Sequence, residues 1–221
     1  MNARDRILAR LRAARRVPLA APDVGSAFAQ SRAGADAARV AEFRARLEAF
    51  RGEVHETSAE QWPALLAELC RARGITNLLH AATTPLADTL AATAGLPRLV
   101  AMDRALEACK RELFEDVQAS ITVARGAIAD TGTLIAWTGK DEPRSLSLIP
   151  PVHFVLLDAR RIHANLLSAM REENWAARLP SNALLISGPS KTADIQQTLA
   201  YGAHGPKELV VLVVVPEEDR Q

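Results

Sequence analysis

The feature that most constrains the fold is an unbroken apolar run near the end of the chain, residues 209–215 (LVVLVVV). A strand with one face in water alternates apolar and polar residues, whereas a strand buried on both faces is apolar throughout. Residues 183–186 form a second such run, and we expect both runs to be buried strands. The chain therefore needs layers on both sides of a sheet, which favours a mainly parallel sheet covered by helices.

Helix and strand patterns alternate along most of the chain. The segment 36–51 has a one-sided apolar face with helical spacing. The members of that face are Val40, Phe43, Leu47 and Phe50. Further helices are predicted at residues 58–74, 86–94, 109–114, 159–171 and 192–199. Strands are predicted at residues 75–80, 98–101, 119–124, within 127–137, and at 152–157. This alternation predicts the α/β class.

The pattern divides the chain into three parts. Residues 1–35 are an N-terminal extension: an arginine-rich helix over 1–16, then an arm rich in proline, alanine, glycine and serine. The helix has an apolar stripe, by which it either packs on the protein or touches an acidic membrane or a partner. Residues 36–216 form the α/β domain, and residues 217–221 form an acidic tail.

Composition excludes several classes of protein. The formal net charge is +1 and only 4% of residues are aromatic, so we expect no nucleic-acid partner. No apolar run reaches the roughly 18 residues of a membrane span, and we expect no transmembrane segment. Two cysteines, Cys70 and Cys109, fit reduced core thiols and a cytoplasmic location. An iron–sulfur cluster takes about four thiolates, so none is expected in this chain.

A dense polar segment lies between the two apolar runs. We predict that Gly188, Pro189, Ser190, Lys191 and Thr192 bind a ligand. Ser190 is the expected N-cap of the helix over 192–199, whose first amide groups and partial positive charge suit an anion. Lys191 adds a charge. A capped turn without a ligand is the alternative interpretation.

A second polar motif, residues 126–133, lies between two predicted strands. Its candidate residues are Asp130, Thr131, Gly132 and Thr133. They either contribute to a ligand site or form hydrogen bonds with the backbone of a hairpin turn. Asp-Thr-Gly is also the signature of aspartic proteases, which pair two such aspartates. This chain has a single Asp-Thr-Gly sequence within an α/β pattern, which argues against an aspartic protease.

The candidate acid–base groups are Asp130, Asp194 and His204. His204 lies between small residues, next to Gly205, so its imidazole is exposed to a ligand or hydrogen-bonded within a loop. Arg144 is either an anion clamp or an exposed loop residue. We expect the polar segments to converge on one anion-binding pocket at the carboxyl edge of the sheet.

Taken together, four segments resemble one family, the lactate-utilization protein C family with its LUD domain. They are residues 129–134 (ADTGTL), 148–153 (LIPPVH), 187–195 (SGPSKTADI) and 202–209 (GAHGPKEL). Their order and spacing fit over roughly residues 36–216. Lys191 departs from the arginine that is common in the family, which keeps the charge and loses bidentate geometry.

The resemblance implies a Rossmann-like fold related to CoA transferases, ribose-phosphate isomerases and 5-formyltetrahydrofolate cyclo-ligases. It also implies a role in bacterial oxidation of L-lactate to pyruvate beside iron–sulfur partner subunits, with a small anionic ligand or an unidentified cofactor in the pocket. The alternative is a stand-alone enzyme acting on a phosphorylated or CoA-like ligand. A regulatory or scaffolding domain remains a third hypothesis.

Overall fold

A computed structural model of the chain describes residues 2–13, 36–193, 199–202 and 204–217. The chain separates into two compact units, residues 1–30 and 31–221. In the first unit, α1 (Ala3–Ala13) confirms the predicted N-terminal helix. Its apolar side chains Ile7 and Leu11 are 59% and 60% exposed. Among the described residues, no helix has the length and apolar character to cross a membrane.

A six-stranded parallel sheet forms the centre of the second unit, in the order β1-β12-β7-β4-β2-β3. Its strands are β1 (Glu53–Thr57), β2 (Asn77–Ala81), β3 (Arg98–Met102), β4 (Ala119–Val123), β7 (Val152–Asp158) and β12 (Glu208–Val214). The mainly parallel α/β fold predicted from the sequence is confirmed.

The apolar run in β12 is buried on both faces, as its sequence requires. Val210 and Leu212 belong to a core cluster with Trp62 and Leu66 on one side of the sheet. Leu209, Val211 and Val213 belong to a second cluster on the other side, which includes Phe43 and Leu47. Alternate residues of one strand therefore join two hydrophobic layers.

Helices cover both faces of this sheet. They are α2 (Asp36–Ala49), α3 (Trp62–Ala72), α4 (Pro85–Ala92), α5 (Leu106–Glu115) and α6 (Ser145–Leu148). A further helix, α7 (Leu166–Glu172), packs on the smaller sheet described below. Gly74 follows α3 with a φ of +65°, a left-handed conformation typical of helix ends. Phe50, which was predicted on the buried face of α2, lies beyond the helix and is 57% exposed. The predicted helix over 159–171 is wrong in its first half, which forms a 3₁₀ turn (Ala159–Arg161) and a short strand.

A smaller four-stranded sheet packs beside the main one, in the order β8-β5-β6-β9. Its strands are β5 (Gly126–Ile128), β6 (Thr133–Thr138), β8 (Ile162–His163) and β9 (Asn182–Ile186). Strand β9, which we expected to be buried, lies at the edge of this sheet, and Leu185 is 49% exposed.

The segment predicted as a helix over 192–199 contains strand instead. Strands β10 (Lys191–Ala193) and β11 (Leu199–Tyr201) pair antiparallel, with Lys191 opposite Tyr201. Residues 194–198 lie outside the described residues. At its described residues, 192–193 and 199, the predicted helix is wrong. β-Branched and aromatic residues such as Thr192 and Tyr201 favour strand pairing, and that pairing is not visible in a local pattern.

The chain reverses direction across the main sheet between β2 and β4. From β2 the chain passes through α4 outward to β3, whereas from β4 it proceeds the other way to β7 and β12. Open α/β sheets generally bind ligands outside the carboxyl ends of the strands at such a switch point.

Candidate functional site

The residues predicted from the polar segments 187–190 and 204–205 meet in one cleft of about 240 Å³. We call it the hydroxyl–imidazole cleft. Its polar side chains are Ser147, His153, Ser187, Ser190 and His204, and Gly188, Pro189 and Gly205 complete its wall. Five of the predicted site residues, Gly188, Pro189, Ser190, His204 and Gly205, are therefore brought together.

Two backbone contacts hold the two segments of the cleft against each other. The amide of Ser190 donates to the carbonyl of Pro206 at 2.8 Å, and the amide of Gly202 donates to the carbonyl of Ser190 at 2.8 Å. A Cβ on Gly205 would lie 3.1 Å from the Cβ of Ser190, which leaves little room for a side chain. The close approach of the two segments thus favours glycine at this position.

His153 lies at the floor of the cleft and is 1% exposed. Its Nε2 is 2.8 Å from the hydroxyl of Thr122, while its buried Nδ1 has no hydrogen-bond partner. Burial lowers the pKa of His153 to about 3, because the charged form loses its hydration. The ring is therefore neutral near pH 7, with one nitrogen donating and the other accepting.

A chain of hydroxyl groups connects the Asp-Thr-Gly bend to the cleft. The Oγ1 atoms of Thr131 and Thr133 are 2.8 Å apart, and Thr133 Oγ1 is 2.8 Å from the Oγ of Ser187. Thr133 is buried, whereas Ser187 is exposed and lines the cleft. Thr131 and Thr133 therefore contact the site only through Ser187.

Asp130 and Gly132 face α2 rather than the cleft. Burial, followed by the charge of Glu42, raises the pKa of Asp130, and Arg46 opposes that shift. A Cβ on Gly132 would lie 2.5 Å from the amide nitrogen of Leu47, and the φ of Gly132 is +61°. The bend is thus a packing contact with α2, and neither residue lines the cleft.

The remaining candidates, Lys191, Thr192 and Asp194, are not found among the described residues that line the cleft. Lys191 is exposed and does not line the cleft, and nothing is described of the side chain of Thr192. Asp194 lies outside the described residues. The helix start that was expected to bind an anion through Ser190 is absent, because Lys191–Ala193 is a strand.

The prediction that the site lies at the carboxyl edge of the sheet is also wrong. The cleft is lined by His153 and Leu209, the second residues of β7 and β12, so it lies at the amino ends of these strands. The error arose because β9 was taken for a strand of the main sheet. Since β9 belongs to the smaller sheet, the polar residues that follow it do not lie at the carboxyl edge.

A larger cavity of about 810 Å³ lies at that carboxyl edge, beside the ends of β1, β4, β7 and β12. Its cationic lining is Arg125, Arg160 and Arg161, so we call it the arginine cavity. Glu173, which is 9% exposed, pairs with both Arg125 and Arg161. The guanidinium of Arg160 donates two hydrogen bonds to the carboxylate of Asp158, at 3.0 and 2.7 Å. The charges of this cavity are therefore balanced within the protein.

Sequence reasoning missed Ser147 and Ser187 in the cleft. His153 is not among the candidate site residues predicted from the sequence. The signal that could have identified His153 is its position in the motif 148–153, at the start of a predicted strand. A side chain at a strand end lies beside the segments that cover that end. The arginine cavity was missed because no motif marks it.

Comparison with other proteins identifies the family. Residues 40–214 match the LUD domain. An uncharacterized protein of Neisseria meningitidis is 35% identical over 222 residues, which cover 98% of this chain and 95% of that protein. The chain belongs to the LUD domain family. A crystal structure of a DUF162 family protein from Deinococcus radiodurans has the same fold, with a TM-score of 0.60 at 22% identity over 82% of this chain and 99% of that chain.

Other relatives of this LUD protein carry a functional name. Lactate utilization protein C of Halalkalibacterium halodurans is 34% identical over 113 residues, 49% of this chain and 48% of that protein. The protein of the same name from Bacillus subtilis is 31% identical over 104 residues, 45% of this chain and 43% of that protein. The matches therefore span about half the length of these relatives.

Proposed function

We propose that this LUD protein is a component of a bacterial L-lactate utilization system, in which L-lactate is oxidised to pyruvate. The observation that carries the proposal is its similarity to lactate utilization protein C from several bacteria. The hydroxyl–imidazole cleft is the proposed site for the small carboxylate. Its volume of about 240 Å³ equals about eight water molecules at about 30 Å³ each, enough for a three-carbon acid.

The lining of the cleft supports such a ligand. Ser147, Ser187 and Ser190 each offer a hydroxyl that donates or accepts a hydrogen bond, and His204 adds an exposed imidazole. A 2-hydroxy acid needs donors for its carboxylate and a partner of either kind for its hydroxyl. The cleft supplies both without a fixed charge in its lining.

The proposal places the redox centres in partner subunits. The chain has two cysteines, both buried and free, whereas an iron–sulfur cluster takes about four thiolates. Burial also raises the pKa of Cys70 to about 11, which disfavours the thiolate that binds iron. On this proposal the protein acts in the cytoplasm, where its thiols stay reduced.

The test compares growth of the native host with and without the gene, on L-lactate and on pyruvate. Deletion should abolish growth on L-lactate and leave growth on pyruvate unchanged. A gene copy with Ser190→Ala and His204→Ala should restore growth on lactate poorly, whereas His55→Ala, in β1 and outside the cleft, should restore it fully. Normal growth of the deletion strain on L-lactate would refute the proposal.

A further inference from the structure

A second cavity opens where the chain reverses direction across the main sheet. It has a volume of about 720 Å³, and we call it the switch-point cavity. Its walls include Ala82 and Thr83, which follow β2, and residues 102–106 at the end of β3. The remaining wall consists of residues from the loop after β6 and from α6. Its volume lies within the usual range of pockets for small organic molecules.

Apolar side chains that are unusually accessible line this cavity. Leu106 and Leu148 are 38% and 40% exposed, and both face the cavity beside Met102 and Ile149. Exposed leucines on one concave surface are typical of a binding site, because they gain free energy when a ligand covers them. The cavity thus favours a ligand with an apolar body.

The same cavity contains two cations that the protein does not neutralise. Lys140 and Arg144 line it, and neither makes an ion pair within the described part of the chain. Two acidic residues also line the cavity. The Oδ1 of Asp103 lies 3.5 Å from the Nε of Arg104, which also pairs with Glu112, and Asp141 accepts a hydrogen bond from the hydroxyl of Thr83 at 3.2 Å and keeps its charge. The cations of the lining, Arg104, Lys140 and Arg144, outnumber these two carboxylates.

This charge distribution distinguishes the switch-point cavity from the arginine cavity. In the arginine cavity, an anion would compete with Glu173 for Arg125 and Arg161, and breaking those pairs has a cost. At Lys140 and Arg144 no protein carboxylate has to be displaced. An anion therefore binds there with less loss of existing contacts.

We propose that the switch-point cavity binds an organic anion, with its acidic group held by Lys140 and Arg144 and its apolar body against Leu106 and Leu148. The ligand class is a carboxylate, sulfonate or phosphate ester that is larger than a three-carbon acid. Lactate alone would leave the apolar wall uncovered. The site shares Leu148 with the lining of the hydroxyl–imidazole cleft, but its other lining residues differ, and it does not depend on the proposed role in lactate utilization.

The test uses the full-length protein and a fluorescent probe, anilinonaphthalene sulfonate, which joins a sulfonate to an apolar ring system. Titration should give saturable binding of this probe. Its uncharged relative, phenylnaphthylamine, has the same rings without the sulfonate and should bind much more weakly. Equal affinity for the two probes would overturn the proposal, because the cations would then contribute nothing.

Variants locate the site. The double substitution Lys140→Ala and Arg144→Ala should weaken sulfonate binding about tenfold, since it removes two charge-assisted contacts. Leu106→Ser should weaken it about fivefold by removing apolar contact. The control removes two exposed cations outside the cavity, Arg98→Ala and Lys110→Ala, and should bind like the wild type. Wild-type affinity in the first double variant, or no binding by the wild type, would refute the assignment.

Discussion

Acid should destabilise this protein through His153, whose ring is buried, neutral and in contact with Thr122. The unfolded chain takes up a proton on this imidazole near pH 6.5, whereas burial holds the pKa in the folded protein to about 3. The folded pKa is the lower one, so its contribution to stability is fully present above about pH 6.5. It is lost progressively as the pH falls toward 3.

The magnitude follows from the two pKa values. Each pH unit between them changes the free energy of unfolding by about 1.4 kcal/mol, and the change between pH 6 and pH 4 is about 2.5 kcal/mol. This is a large share of the roughly 5–15 kcal/mol that holds a domain folded. His153→Gln removes the titrating ring and keeps an amide that can bond Thr122, so the variant lacks this contribution.

Urea unfolding of the wild type and of His153→Gln at several pH values measures the effect. Carboxylates titrate equally in both proteins, so the difference between the two free energies isolates His153. That difference should change by about 2.5 kcal/mol between pH 6 and pH 4, in the direction that disfavours the wild type. Ser120→Ala, opposite His153 in β4, should show a constant difference. A pH-independent difference for His153→Gln would refute the reasoning.

Two further experiments test the contacts that hold the Asp-Thr-Gly bend in place. Gly132→Ala should lower the free energy of unfolding by about 3 kcal/mol, because it combines a left-handed φ with a clash on Leu47. Gly74→Ala has a similar φ and open space around it, so it should cost only about 1 kcal/mol, and equal thermal shifts would contradict the packing. Thr133→Val and Ser187→Ala should show a coupling of about 1 kcal/mol in a double-mutant cycle, and strict additivity would show that their hydrogen bond is absent.

The sequence predicted the main sheet well because burial on both faces leaves a strong local signal. The run in β12 has no polar residue between Leu209 and Val214, a composition typical of a strand between two apolar layers. Strand β9 has a similar run of apolar residues and is nevertheless an edge strand with Leu185 exposed. A short apolar run therefore predicts a strand but not the sheet to which it belongs.

The candidate site was also predictable in part. Ser190 and His204 line one cleft, because Ser190 precedes β10, His204 follows β11, and these two strands pair. Asp130 belongs to a motif with equal chemical promise, yet it lies against α2, a contact that depends on the position of a helix distant in sequence. The expected helix over 192–199 is wrong at its described ends, because Lys191 pairs with Tyr201 in a two-stranded sheet. Each failure concerns a non-local contact.

Cavity size alone does not identify the anion site in this fold. The arginine cavity is the larger of the two at the carboxyl edge, at about 810 against about 720 Å³, and it has more guanidinium groups. Glu173 and Asp158 already satisfy those groups, so an incoming anion gains only the difference between two similar interactions. Lys140 and Arg144 have no such competitor in the described structure, and exposed leucines lie beside them. The smaller cavity is therefore the stronger candidate for an organic anion, because both its charge and its apolar surface are left for a ligand to satisfy.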